Sequence, residues 1–290
     1  MNARKFLCTI ACLAILLTSK LMAQGPYPMP EQVESFKNTT LLVIADGSDV
    51  AFDARLRKAV QDNWTLTEFR FIDSREFERE KSNPAKSFLT SATIKFDRDV
   101  EDNSYQFMYI LLSHPTGDLS EMPVIAQVPF IGTGITSSNH LHKTDMLVKF
   151  LQKHATDVVE SNGNKRFRKL NYLNKGIREL ENKTLVVTES QIHEDYRDEE
   201  SFAKVYKYPW KMVADDELPQ IISEEEENTV VLHIVAADDD ATSGRCFKMI
   251  IEPATGNAFF YKTHKINEKR PPVFLKRDFR NIRWAPIHWL

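Results

Sequence analysis

Histidine and aspartate lie close together at residues 140–145, where the chain reads HLHKTD. His140, His142 and Asp145 are residue types that bind Zn²⁺ through nitrogen and oxygen atoms, so the segment is a candidate metal site. Two features oppose it: His140 and His142 would point to different sides of a helix, and Lys143 would repel a cation. The alternative is a pair of solvent-exposed imidazoles at the start of a helix.

The segment before these histidines, residues 131–139, reads IGTGITSSN and holds two of the nine glycines in the chain. It lies between an expected strand and an expected helix, so its backbone N–H groups and hydroxyls could hold an anion at the helix N-terminus. The predicted ligand-binding residues are Gly132, Thr133, Gly134, Ser137, Ser138 and Asn139. The alternative is a tight turn in which one of the last three residues caps the helix.

The C-terminal tail, residues 267–290, is basic and aromatic. Arginine and tryptophan are enriched at protein interfaces, so the tail is a candidate docking surface for a protein partner. The predicted partner-binding residues are Arg277, Phe279, Arg280, Arg283, Trp284 and Trp289. The alternative is a last helix whose apolar side chains cover a sheet while its basic side chains lie in water.

Motifs of the common enzyme classes are missing from the sequence. It contains no GxSxG of a serine hydrolase, no HExxH of a zinc protease and no GxxxxGK[ST] phosphate loop. No GxGxxG follows the first expected strand, and no cofactor is predicted. A hydrolase with an unrecognised site stays open, because catalytic triads are defined by geometry and not by order in the chain. Its residues would come from His114, Asp118, His140 and Asp145.

One phrase occurs twice, as NTTLLVIAD at residues 38–46 and as NKTLVVTES at residues 182–190. Each copy contains an apolar, β-branched run, which is typical of a strand buried on both faces. A helix, a strand, a second helix and a third strand are expected after each copy. We therefore predict an α/β fold of two tandem Rossmann-like β-α-β-α-β units, with mixed, mainly parallel sheets and added antiparallel hairpins. The alternative is that buried parallel strands simply resemble one another.

Several segments have specific assignments within these units. The third strand of the first unit is expected at YQFMYILLS, residues 105–113, and that of the second unit at TVVLHIV. Trp64 and Trp210 are expected in equivalent places just before the second strand of each unit. The PATGN turn predicts a hairpin near the end of the second unit. Residues 168–180 are expected to form a helix that joins the units.

The chain begins with the pattern of a secretory signal peptide. Arg4 and Lys5 precede an apolar run from Phe6 to Leu17, and a small-residue exit follows at Ala23-Gln24. The apolar run is shorter than the roughly 20 residues that span a bilayer, although an uncleaved anchor is the alternative. We therefore expect a periplasmic or secreted protein.

The predicted organisation has six segments. They are the signal peptide (1–23), an N-terminal extension (24–37), the first α/β unit (38–139), connecting helices (140–181), the second α/β unit (182–266) and the basic aromatic tail (267–290).

Removal of the signal peptide changes the composition. Cys8 and Cys12 are lost, so Cys246 is the single thiol, and neither an intramolecular disulfide nor a cysteine zinc site is expected. Thirty-five basic and 41 acidic residues remain, a net charge of −6, which argues against nucleic acid as the main partner. No transmembrane segment is expected in the mature chain.

Three functions fit these patterns. The first is an exported, non-catalytic binding or scaffold protein of the cell envelope, with an envelope or secreted protein as its partner. The second is a small-ligand-binding protein that uses the cleft between the units, near Gly132 to Asn139. The third is the hydrolase with an unrecognised site. A Rossmann-like fold by itself does not decide among them.

Overall fold

Both copies of the repeated phrase form β-strands in the computed structural model, which describes residues 25–96 and 103–283. Each of these strands has a parallel neighbour on either side, and its central side chains are buried. Burial on both faces is what a continuous β-branched run predicts. The predicted signal peptide lies outside the described residues.

The first sheet has four strands in one direction and one against them. The elements of this part of the chain are α1 (Pro30–Phe36), β1 (Thr40–Ile44), α2 (Val50–Asn63), β2 (Phe69–Ile72), α3 (Ser74–Glu80), β3 (Lys86–Lys95), β4 (Ser104–Leu112), β5 (Val124–Gly132) and α4 (Thr144–Glu160). The strand order is β2-β1-β3-β4-β5. β1 is parallel to β2 and β3, whereas β4 is antiparallel to β3 and β5.

The second sheet repeats this topology. Its elements are β6 (Thr184–Thr188), α5 (Glu199–Val205), β7 (Trp210–Val213), α6 (Leu218–Glu224), β8 (Thr229–Val235), β9 (Arg245–Ile251), β10 (Ala258–Lys265) and α7 (Lys276–Arg283). The order β7-β6-β8-β9-β10 matches that of the first sheet strand for strand, with the same directions. The predicted α/β fold of two repeated units, with mixed sheets and added antiparallel strands, is confirmed.

Strand register shows which residues are equivalent in the two units. Leu41 of β1 pairs with Phe69 of β2, and Leu185, at the same place in the repeated phrase, pairs with Trp210 of β7. Phe69 is therefore the equivalent of Trp210. The predicted equivalence of Trp64 is wrong, because Trp64 ends α2 and packs in the core before β2 begins.

A serine and an aspartate connect the ends of the first two strands in both units. In the first unit the Ser74 hydroxyl donates to Asp46, and in the second the Ser190 hydroxyl donates to Asp215 at 2.6 Å. In the first unit the aspartate follows the first strand and the serine follows the second, whereas in the second unit the order is reversed. The hydrogen bond between them is present in both units. The repeat therefore extends to the loops at the carboxyl edge of each sheet.

Two segments differ from their predicted structure. The third parallel strand of the first unit is β3, whereas the predicted segment 105–113 forms β4 and runs antiparallel to it. β3 mixes polar and apolar residues, so the more apolar arm of the hairpin was the stronger strand signal. Residues 168–180 are mainly 3₁₀ helix instead of α-helix. The hairpin around PATGN is present as β9 and β10.

The largest apolar cluster joins the two sheets through α4. It contains Val43 of β1, Val128 of β5, Leu147 and Leu151 of α4, and Val231 of β8. α4 therefore contributes to a core that both units share, in addition to connecting them in sequence. Among the described residues, no helix is long and apolar enough to cross a membrane.

The two units also touch directly where β5 meets β8. A Cβ atom on Gly132 would lie 1.9 Å from the Ala236 carbonyl oxygen and 2.4 Å from that of Ala237. The ring of His233, which is fully buried, lies with Nε2 2.8 Å from the Pro129 carbonyl oxygen. Glycine is therefore required at position 132 for this approach, which places the start of α4 over the second sheet.

Candidate ligand-binding cavity between the two units

A cavity of about 730 Å³ lies at the carboxyl edge of the second sheet. Thr188 ends β6, Asp215 follows β7 and Ala236 follows β8, and all three line the cavity. The first unit supplies the facing wall through Ile135 and the 3₁₀ segment Ser137–Lys143. Ligands of α/β proteins commonly bind at the carboxyl ends of parallel strands, which is where this cavity lies.

Lys143 forms the inner end of the cavity, which we call the floor. Its side chain is 5% exposed, and Nζ lies 3.0 Å from Nδ1 of His140. No carboxylate of the described residues lies within ion-pair distance of it. Burial lowers the pKa of Lys143 to about 8, against a smaller attraction by Asp239. The floor therefore holds an ammonium group without a paired anion, protonated for the most part at neutral pH.

His140 and His142 stand beside this lysine as neutral rings. Their rings are nearly parallel, with centroids 6.4 Å apart. Burial and then the charge of Lys143 lower the pKa of His140 to about 2 and that of His142 to about 4. These groups can exchange hydrogen bonds at neutral pH but add no charge to the cavity.

The open side of the cavity, which we call the rim, is acidic. It carries Asp215, Asp238, Asp239, Asp240 and Glu268, all of them exposed. Burial, followed by repulsion from Asp238 and Asp240, raises the pKa of Asp239, while Lys143 acts in the opposite direction. Arg197 also lines the cavity and is exposed, so the cavity is basic inside and mainly acidic at its opening.

Polar side chains at the end of β6 are held by hydrogen bonds. The Thr188 and Ser190 hydroxyl oxygens lie 3.0 Å apart, and Ser190 donates to Asp215. The Gln191 amide donates to the Leu232 carbonyl oxygen at 3.1 Å. This network fixes the β6 side of the wall, as a preformed binding site requires.

The predicted anion site around the two glycines is occupied by contacts within the protein. The Thr133 N–H group donates to the Ser104 carbonyl oxygen at 3.2 Å, and the Gly134 N–H group donates to that of Ala237 at 3.0 Å. Gly132 is needed for the close approach of the units. These backbone donors are therefore not directed at an anion, although the segment borders the cavity. The side chains of Ser137, Ser138 and Asn139 lie outside what the structure describes.

The three predicted metal ligands are not brought together. Asp145 forms an ion pair with Arg55 of α2, while His140 and His142 line the cavity. Within residues 25–96 and 103–283, no group of three or more His, Cys, Asp or Glu side chains is arranged to hold a metal ion.

The residues considered for a hydrolase lie at two ends of the first sheet. His114 and Asp118 lie in the loop after β4, where the His114 ring contacts Thr116. The segment with His140 follows β5 at the other end of β4, about 27 Å away along the nine residues of this strand. These residues therefore do not come together in one catalytic site.

The tail packs onto the second sheet through its apolar side chains. Phe279 is fully buried with Phe274 and Ile282, so a partner cannot contact it in this fold. Arg280 is exposed and Arg277 is half-buried. The remaining predicted side chains, Arg283, Trp284 and Trp289, lie outside the described residues.

Lys143 and the aspartates that follow β8 were not among the predicted site residues. From the sequence alone, Lys143 bears only on the candidate metal site, where its charge would repel a cation. The run of Asp238 to Asp240 directly after the apolar strand TVVLHIV was an available signal, because the carboxyl ends of parallel strands form binding sites. A smaller cavity of about 300 Å³ lies elsewhere, between α4 and the 3₁₀ segments that follow it.

No family model, no curated protein and no solved structure matches this chain.

Proposed function

We propose that the protein is an exported, non-catalytic binding protein that holds a small polar organic molecule in the cavity between its two units. One observation carries this proposal: the cavity lies at the carboxyl edge of three parallel strands and is bounded on the facing side by a segment of the other unit. Its volume of about 730 Å³ is within the range of small-molecule sites. Export is inferred from the signal-peptide pattern of residues 1–23.

A binding role is favoured over a hydrolase because the residues considered for catalysis lie at two ends of the first sheet. A scaffold role for an envelope or secreted protein remains a prediction. Lys276 and Arg280 on α7 are among the exposed basic residues of the described tail that such a partner would meet.

The binding proposal is tested by a thermal-shift screen of the mature chain against small polar molecules of several chemical classes. Ala241→Trp fills part of the cavity, since Ala241 lines it. Val50→Trp is the matched control, because Val50 is 74% exposed on α2. We expect at least one compound to raise the Tm of the wild type and of Val50→Trp but not of Ala241→Trp.

Two results would overturn the binding proposal. One is a screen in which no class of compound raises the Tm of the wild type. The other is an equal rise in Ala241→Trp, which would place the ligand outside this cavity. Circular dichroism of both variants checks that each is folded.

Export is tested separately by mass spectrometry of the protein made in a cell with a secretion pathway. The expected product is found outside the cytoplasm and begins at Gln24. A full-length protein that stays in the cytoplasm would contradict export without affecting the binding proposal.

A further inference from the structure

The charges around the cavity are separated by depth. Lys143 lies at the floor and is nearly inaccessible to water, whereas Asp238, Asp239 and Asp240 are exposed at the rim. The described residues place no carboxylate within ion-pair distance of the Lys143 ammonium. Its hydrogen-bond partner is the neutral ring of His140.

A buried ammonium group without a counter-ion is unfavourable, because desolvation is not offset by an ion pair. An anionic group on a ligand would supply the missing partner in a region from which water is largely excluded. A carboxylate is suited to this place, since it can accept a hydrogen bond from Nζ while the neutral histidines add no repulsion.

The acidic rim sets a second condition on the ligand. A molecule with several negative charges would be repelled at the opening by Asp238, Asp239 and Asp240. A molecule with only a positive charge would leave Lys143 unpaired. A ligand that carries one charge of each sign satisfies both ends of the cavity.

Building on the binding function proposed above, we propose that the ligand is a zwitterion of the amino-acid class, with its carboxylate paired to Lys143 and its ammonium group among Asp238, Asp239 and Asp240. Lys143 is the anchor for the negative end. The aspartates admit the positive end and exclude polyanions.

The test compares chemically matched ligands by isothermal titration calorimetry. The probes are the twenty common free amino acids, the amides that lack the free carboxylate and the N-acetyl derivatives that lack the ammonium group. We expect at least one free amino acid to bind about tenfold or more tightly than both of its derivatives, because each blocked group removes a charge-assisted interaction.

Two variants locate the charges. Lys143→Met keeps the length of the side chain without its charge, and we expect it to weaken binding of the free amino acid about tenfold or more. It should leave binding of the amide nearly unchanged. Asp239→Asn is expected to weaken binding of the free amino acid but not that of the N-acetyl derivative, which is an anion and loses a repelling charge.

The Tm of the ligand-free Lys143→Met variant is a further readout that needs no ligand. Because a buried, unpaired charge is removed, this Tm should equal or exceed that of the wild type. A large fall would show that Lys143 is held by contacts within the fold and would overturn its role as an anchor.

The remaining outcomes separate this inference from the broader function. If amides bind as well as free amino acids, or Lys143→Met binds as the wild type does, the zwitterion is ruled out. If only other classes, such as sugars, bind and Ala241→Trp blocks them, the binding function stands and the zwitterion fails. If Ala241→Trp blocks nothing, the binding function itself fails.

Discussion

Lys248 and Asp278 form an ion pair that is closed to solvent, which makes it the most informative place to perturb the fold. Both residues are 0% exposed, and the pair connects α7 to β9. Asp278 also accepts the Leu275 N–H group at 3.0 Å and lies 3.1 Å from Nζ of Lys262 on β10. Its carboxylate therefore serves as both counter-ion and helix cap.

The first unit shows that an apolar residue can take the place of Lys248. When the strand pairings of the two sheets are compared residue by residue, starting from Leu41 and Leu185, Met108 of β4 occupies the position of Lys248 of β9. Met108 is 1% exposed and belongs to the apolar cluster around α4. The same sheet position is thus compatible with a neutral side chain of similar length.

Asp278→Asn should lower the free energy of unfolding by about 3–5 kcal/mol, because it leaves Lys248 buried without a counter-ion. Asparagine still accepts the Leu275 N–H group, so the cap is kept. Adding Lys248→Met should return the free energy of unfolding to within about 1 kcal/mol of the wild type. Lys262→Met is the control: Lys262 is partly exposed, and we expect it to cost less than about 1 kcal/mol.

Urea denaturation followed by circular dichroism measures these four proteins and the single variant Lys248→Met, all on the mature chain. The reasoning is refuted if Asp278→Asn lowers the free energy of unfolding by less than about 1 kcal/mol, since Lys248 would then not need a counter-ion. It is also refuted if the double variant is as unstable as the sum of the two single changes, because the two charges would then not be coupled.

Three further predictions concern the contact between the units and two buried titratable groups. Gly132→Ala should destabilise the protein by about 3 kcal/mol or more, because the new methyl group would lie 1.9 Å from the Ala236 carbonyl oxygen; an unchanged Tm would show that the units do not approach as described. Burial lowers the pKa of His233 to about 3, so below pH 6.5 the unfolded chain binds a proton that the folded protein does not. Stability should therefore fall as the pH drops from 6.5 toward 3, by up to about 1.4 kcal/mol per pH unit for this residue. His233→Gln, which can still donate to the Pro129 carbonyl oxygen, should reduce that slope in urea titrations without abolishing it, because burial also lowers the pKa values of other histidines, among them His140 and His142. An unaltered slope would exclude His233 as a source of the dependence. Burial raises the pKa of Cys246 to about 12, so a thiol reagent should modify the mature protein only after urea unfolds it, and rapid labelling of the native protein would contradict its burial.

The repeated fold could be predicted because its signal is local. The runs around Leu41 and Leu185 are apolar and β-branched, and such runs report a strand buried on both faces whatever surrounds them. The choice between β3 and β4 as the third parallel strand could not be predicted in the same way. Direction depends on pairing with distant strands, and the more apolar arm of the hairpin was the antiparallel one.

The cavity could be predicted only in part. Gly132 and Gly134 lie against Ala236 and Ala237 of the second unit, but the role of Gly132 depends on Ala236, which lies about a hundred residues further along the chain. The burial of Lys143 likewise results from the second unit packing over the 3₁₀ segment Ser137–Lys143. Neither contact has a local pattern in the sequence, because both arise when the two sheets come together.

Hydrogen-exchange mass spectrometry with the tightest ligand from the screen tests most directly that the cavity between the units binds a small molecule. We expect saturating ligand to slow exchange in residues 135–143 and 236–242, which line the cavity from the two units. Protection confined to residues 153–179, beside the smaller cavity, or no protection in either segment would contradict the proposed site.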